Sequence, residues 1–343
     1  RGTDARDRLL VNYQPSIFYE TGHERGDPVI GSILLGDPPE LEWAVDRLDF
    51  TQLASDPSPF PCVADPHDPC EPHPDAPGQN RGACRLNSPH GTFLISEDDT
   101  SARLLTTDTF GNRVLELTVD RSSDCAVVDA VYGPGNLPEW GISFSPNDVY
   151  GYEAGTTLHV LVTYRNSSPG TDEDGQYDHG KLLHIAREQG QPPHVSWVFP
   201  PVDTTQPSFS NSIHNVDVVE APDGTRYILL AHSNGLGDEW YLFGDENAAE
   251  GSVTVLSCCD DPPRYFLDAY LPGPYPFLAY LRDVDWLEDG RLLVTDSGCV
   301  ARTDTCTQTA WVGEVSLPTF AEIEAMDLPV VTGAWSLDHA QQN

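Results

Sequence analysis

Hydrophobic and polar positions alternate over short runs along almost the whole chain, and three of these runs share one layout. NSPHGTFLISEDDTSARLLTTD begins at Asn87, NSIHNVDVVEAPDGTRYILLAHSN at Asn211, and YLRDVDWLEDGRLLVTDSG at Tyr280. Each opens on a polar cluster, passes through an alternating strand, turns at an acidic or Asp-Gly pair, and returns through a second apolar strand. The period of two marks half-buried strands, and the turn residues make each copy a hairpin.

The same reading extends to the rest of the chain. RLLVNY, PVIGSILLG and LEWAVDRLDF form short strands near the N-terminus, and NRVLELTVD and Ala126 to Val131 extend the first copy. TTLHVLVTY, LLHIAR and HVSWVFP follow as strands, SVTVLSC and YFLDAYLPG complete the second copy, and WVGEVSLP completes the third. In the stretch between, Trp140-Gly141-Ile142 is matched to His90-Gly91-Thr92. Pro318 to Leu328 is the one helix-like stretch.

Hairpins repeated at large spacing predict an all-β chain, a single β-propeller over residues 1–343. The steps between His90, Trp140, His214 and Asp283 exceed the roughly 40 to 50 residues of a simple four-stranded blade. Five or six blades with long inserted loops therefore fit better than seven. Residues 54–86 form a proline- and cysteine-rich insertion, DPSPFPCVADPHDPCEPHPDAPGQNRG at its heart. Proline at that density excludes helix and central strand, leaving an ordered excursion tied by cystines.

Composition narrows the partners. With 54 acidic and 18 basic residues the formal charge is −36, and Lys181 is the one lysine. Such a surface repels nucleic acid and anionic lipid. It fits a generally acidic exterior, or carboxylates that take up divalent cations such as Ca²⁺. No apolar run approaches the ~18 residues of a membrane span. The h-region of a signal peptide is lacking too, so an exported chain has already lost it. Eight cysteines in polar, loop-like settings point to disulfides and to an extracellular, cell-surface or periplasmic location. Cys62 with Cys70, and Cys299 with Cys306, are each spaced to close a small loop. Cys258 and Cys259 are adjacent and are expected to pair elsewhere, with Cys84 and Cys125 as candidates.

In a propeller the innermost strands line a channel, so polar residues at their entrances converge. His90, His214, Arg282 and Asp283 are the candidate catalytic residues on that ground. Imidazole titrates near neutrality and serves as acid, base or ligand, Arg282 suits an anionic group, and Asp283 suits a cation or an imidazole. The structural alternative is that each ties down a neighbouring blade beside a wet channel. Asp217 and Asp285, read with His214 and Asp283 as matched His/Asp and Asp/Asp pairs on one strand face, make oxygen-rich candidates for a metal. Asp172, Asp174 and Asp178 around Gly175 have the rhythm of a local Ca²⁺ loop, without the terminal glutamate of an EF-hand. No nucleophile elbow, zinc helix or phosphate-binding loop occurs.

SPHGTFLI, IHNVDVVEAPDGTRYILLA and RDVDWLEDGRLLVTDSG together resemble extracellular propellers, the arylsulfotransferase and six-bladed lactonase-like families among them. The first resemblance implies a channel histidine as sulfate acceptor, His90 or His214, beside Arg282. The second implies an axial Ca²⁺ held by Asn215 and Asp283, with Asn87 as a further candidate. The reading reached from the sequence is a calcium-stabilised binding or assembly module facing a protein or glycan partner, or a second copy of itself. A hydrolase or sulfotransferase with a His/Asp/Arg site at the channel mouth is the alternative.

Overall fold

A computed structural model describes residues 8–13, 29–36, 38–53, 61–71, 74–75, 84–109, 111–140, 146–164, 181–199, 213–220, 224, 226–232, 252–258, 265–270, 281–286, 291–296 and 311–316. Among them the chain is all-β, with four sheets of three or four strands and one of five. Strands β1 (Arg8–Tyr13), β2 (Val29–Leu34) and β3 (Glu40–Val45) form the first sheet. The five-stranded sheet follows, from β4 (Arg47–Asp49), β5 (Pro89–Glu97), β6 (Ser101–Asp108), β7 (Arg113–Asp120) and β8 (Cys125–Tyr132). Its order is β4-β8-β7-β6-β5, antiparallel except that β4 runs parallel to β8.

The third sheet holds β9 (Pro146–Ala154), β10 (Thr157–Tyr164), β11 (Lys181–Glu188) and β12 (His194–Phe199) in sequence order. The fourth holds β13 (Ile213–Glu220), β14 (Arg226–His232), β15 (Ser252–Cys258) and β16 (Tyr265–Tyr270). The last holds β17 (Leu281–Trp286), β18 (Arg291–Asp296) and β19 (Trp311–Ser316). Each of the three hairpin copies thus opens a sheet, as its alternating pattern requires.

The chain divides into two compact units. One draws on Arg1–Val160 and Ala186–His194, the other on Leu161–Ile185 and Val195–Asn343, and the division passes through β10, β11 and β12. In the first unit the core joins Ile30, Trp43 and Val45 of the first sheet to Leu104, Leu115, Leu117, Val119 and Val128 of the second. Each fully buried aliphatic side chain there contributes about 1.5–3 kcal/mol. The other face of β6 meets β9, where Gly151 leaves room for Leu105 and Phe93: an added Cβ would lie 2.6 Å from Leu105 Cδ1. In the second unit Tyr227, Ile228, Leu229, Leu230 and Ala231 are all buried, so β14 is covered on both faces.

Many of the chain's acids hold turns. Asp98 Oδ1 accepts from the Thr100 and Ser101 amides, both at 2.8 Å, and those bonds pull its carboxyl down to about 2. Asp120 does the same for Ser122, and Asp49 for Thr51. These Asx turns offer the backbone a local partner where the ladder ends.

The cystines differ from the closed small loops expected. Cys62 bonds to Cys84 and Cys70 to Cys125, spanning 22 and 55 residues. Both pairs fasten the 61–71 excursion to the five-stranded sheet, because Cys84 precedes β5 and Cys125 opens β8. Cys258 is also disulfide-bonded, to neither Cys84 nor Cys125. Cys259, Cys299, Cys306 and the helix-like stretch lie outside the described residues.

Candidate functional site

Register at the start of each hairpin brings out a recurring irregularity. In the five-stranded sheet Pro89 pairs with Asp108 and Thr92 with Thr106, so His90 and Gly91 stand opposite the single residue Thr107. In the fourth sheet Ile213 pairs with His232 and Asn215 with Ala231, which leaves His214 as an extra residue. In the last, Leu281 pairs with Asp296 and Asp283 with Thr295, which leaves Arg282 extra. The irregularity therefore falls on His90-Gly91, on His214 and on Arg282; counted back from Thr92, Asn215 and Asp283, His214 and Arg282 match Gly91, and His90 lies one residue before that position. Bulges occur elsewhere in these sheets too, but a bulge at the opening of all three copies bends the strand and re-aims the side chain it carries.

This register shifts one sequence-based equivalence by a residue. His214 corresponds to Arg282, and Asn215 corresponds to Asp283 and to Thr92. Asp217 and Asp285 remain matched, paired with Leu229 and Leu293 respectively. Trp140 does not stand at His90's place. It ends a single-turn 3-10 helix, Pro138–Trp140, is buried, and donates from Nε1 to Asn112 Oδ1 at 2.9 Å. Asn112 can receive it because it adopts φ 52°, a conformation that asparagine tolerates better than most residues.

The strand that does open the third sheet is β9, and the sequence reading passed over its match. PNDVYGYEA aligns with IHNVDVVEA through Val149 and Val216, then Glu153 and Glu220. Asp148 thereby becomes the counterpart of Asn215 and Asp283. Its side chain packs on Gly91, where a Cβ would lie 2.1 Å from Asp148 Oδ1, so only glycine fits beneath it.

In the first unit these openings are tied into one polar cluster. Asn12 Nδ2 donates to the His90 carbonyl at 2.7 Å, and Thr92 Oγ1 donates to Asn12 Oδ1 at 2.6 Å. The Gly91 amide donates to Thr107 Oγ1 at 2.7 Å, and that hydroxyl donates to the Asn147 carbonyl at 2.9 Å. The backbone groups that the bulge removes from the ladder are thus satisfied by hydroxyls from β6. In the second unit His214 is buried, Asn215 and Asp217 are half-buried, and Asp217 Oδ1 accepts from the Val218 amide at 2.8 Å. For Arg282, Asp283 and Asp285 the structure describes the strand and its register.

Asp172, Asp174 and Asp178 lie outside the described residues. Among the described residues, no three His, Cys, Asp or Glu side chains are placed to hold a metal. Asn215 and Asp283 stand at matched positions of their strands. Asn87 is exposed, and its amide donates to Asp108 Oδ1 at 2.8 Å.

A second polar constellation had no signal in the hairpin pattern. Glu116 of β7 is buried and accepts from Arg103 at 2.7 Å, from Arg187 at 2.5 Å and from Tyr132 Oη at 3.0 Å. Burial, reinforced by the Glu116 charge, raises the Tyr132 phenol well above its ordinary value. Tyr132 therefore stays a neutral donor across the physiological range.

No protein-family model and no curated protein sequence matches the chain. Solved structures that it is similar to are propeller-fold proteins, lactonase-like or of glycoside hydrolase families 32 and 43. A putative 6-phosphogluconolactonase from Bacteroides uniformis is 12% identical at a TM-score of 0.39, over 84% of this chain and 65% of that one. A β-fructofuranosidase from Bombyx mori is 13% identical at 0.42, over 66% of this chain and 45% of that one. An endo-arabinase from Bacteroides thetaiotaomicron is 11% identical at 0.34, over 66% and 74%. The chain thus spans less than two thirds of the lactonase and of the fructofuranosidase. Likeness this low transfers neither blade number nor chemistry.

Proposed function

We propose that the chain is a propeller-type hydrolase whose site lies at the openings of the hairpin strands of its fourth and last sheets. The observation that carries this reading is the register irregularity that falls on His214 and on Arg282 at matched positions of two sheets. In this reading His214 acts as general base on a water. The hydroxide formed adds to an ester or lactone carbonyl, Arg282 stabilises the oxyanion, and the imidazolium returns the proton to the leaving alkoxide. Asp283 orients the imidazole. No step runs through Ca²⁺.

The test is turnover of aryl esters, lactones and aryl sulfates by the purified chain, by His214→Ala and by Arg282→Ala, with folding followed by circular dichroism. Ester or lactone turnover that drops about 10²-fold or more in folded His214→Ala supports the reading. Turnover of aryl sulfates alone selects the sulfotransferase chemistry instead. Absence of turnover, or turnover indifferent to both substitutions, removes it.

A second reading has its own observation. The 61–71 excursion is held by two cystines and by the Arg47–Glu71 and Arg85–Glu71 ion pairs, so it is rigid enough to present a contact surface to a protein or glycan. The cystines also support an oxidising, extracellular setting. No helix among the described residues is long and apolar enough to cross a membrane. Capture of a glycan or protein by the intact chain, lost on reduction of the cystines while the sheets persist, is the result expected of that module.

A further inference from the structure

Beside the Glu116 network the first unit contains a cavity of about 260 Å³, lined in part by Arg103, Glu153, Thr156, Thr157, Arg187 and Gln189. None of these belongs to the bulged openings. The volume sits just below the range of drug-sized pockets and matches a single sugar-sized molecule. Leu158 and Gly155 complete the lining, so charged, hydroxyl and apolar groups all face the cavity.

The arginines are unequally committed. Arg103 donates from Nε and Nη2 to Glu116 and from Nη1 to Glu153, the last at 2.6 Å. Arg187 donates from Nε to Tyr132 and from Nη2 to Glu116, and its Nη1 makes no hydrogen bond among the described residues. Glu116 is 1% exposed and fixed by three donors, whereas Glu153 is 53% exposed and holds one. Glu153 is thus the replaceable carboxylate. With it turned to solvent, the Arg103 and Arg187 guanidinium groups border the cavity, and Glu116 and Asp129 are the carboxylates near them. Repulsion from the rest of the acidic surface is screened beyond about 8 Å at physiological salt.

We propose that this cavity is a binding subsite for a small hydroxylated carboxylate of sugar-acid size. The ligand carboxylate replaces Glu153 on Arg103 and is shared with Arg187 Nη1, while Thr156, Thr157 and Gln189 receive its hydroxyls. An arginine–carboxylate bond exchanged for another costs little, and the added hydroxyl contacts favour the ligand.

Titration calorimetry of the full chain with D-glucuronate, D-glucose, acetate and sulfate tests it. Saturable glucuronate binding is expected, with glucose, acetate and sulfate each about tenfold weaker or more. Glu153→Gln removes the internal competitor and tightens glucuronate by about threefold to tenfold, while Thr157→Val weakens it by a similar factor. Arg187→Gln also strips a partner from buried Glu116, so the two milder variants carry the test. Absence of saturable glucuronate binding in both wild type and Glu153→Gln overturns the proposal. So does weaker or unchanged binding by Glu153→Gln, or sulfate binding as tightly as glucuronate.

Discussion

Asp108 and Glu116 lie on neighbouring strands of the five-stranded sheet, both buried and both held by arginine, yet their surroundings differ. Asp108 ends β6 and accepts from Arg113 at 2.9 Å and from the Asn87 and Ser88 amides at 2.8 and 2.9 Å. Arg113 is itself 2% exposed, lies 5.3 Å over the Phe50 ring and donates to the Arg85 carbonyl. That corner is closed: it locks the β6–β7 turn to the chain entering β5. Glu116 instead holds two arginines that are 31% and 21% exposed, and they border a cavity. A buried carboxylate can fix a corner or hold guanidinium groups ready for a ligand. Exposure of its partners separates the two cases.

Breaking the closed corner should have the largest effect. Asp108→Asn leaves Arg113 without a counterion in a dry site, and a loss of about 3–5 kcal/mol is expected in urea denaturation. A loss under about 1 kcal/mol would show the corner to be wet. Glu116→Gln should cost less, about 1.5–3 kcal/mol, because Arg103 and Arg187 can turn to water. Equal costs for the two substitutions would erase the distinction between them.

Acid should weaken the cavity side selectively. His159 stacks on Tyr152 at 4.7 Å, in the strand that follows the Glu153 turn. Burial, then the neighbouring His194, lowers its imidazole from the ordinary value of 6.5. A lowered imidazole binds fewer protons folded than unfolded. Its stability contribution is therefore full above about 6.5 and falls as pH drops through the lowered value. His159→Gln is expected to flatten the fall in melting temperature between about pH 7.5 and 5.5. A melting curve with the same acid slope would assign that slope to other groups. The smallest effect is expected from Glu153→Gln, which breaks an exposed pair and should change stability by about 0–1 kcal/mol.

The strands were legible because alternation is a local property: GTFLIS, ARLLTTD, VDVV and RLLVTD each carry it within a few residues. His90 and His214 were legible as polar residues that interrupt such runs. Trp140 misled because it was matched by the Gly that follows it, while the true counterpart, Asn147-Asp148, shares its Val and Glu spacing with the other copies. The one-residue shift between His214 and Asp283 arose because a bulge adds a residue without changing the alternation on either side. Spacing favoured Cys62 with Cys70, but the partners that come within reach in space were Cys84 and Cys125.

The amino-acid order alone determined an all-β chain, the three hairpin copies and an acidity partly used in turns. Period, turn chemistry and charge act over a few neighbours, so they survive without a fold. The tertiary structure alone decided which residue each bulge carries, which cysteines meet, and that Arg187 reaches Glu116 across 71 positions of sequence. Those outcomes depend on register and on packing between distant strands, and no short stretch of sequence contains either.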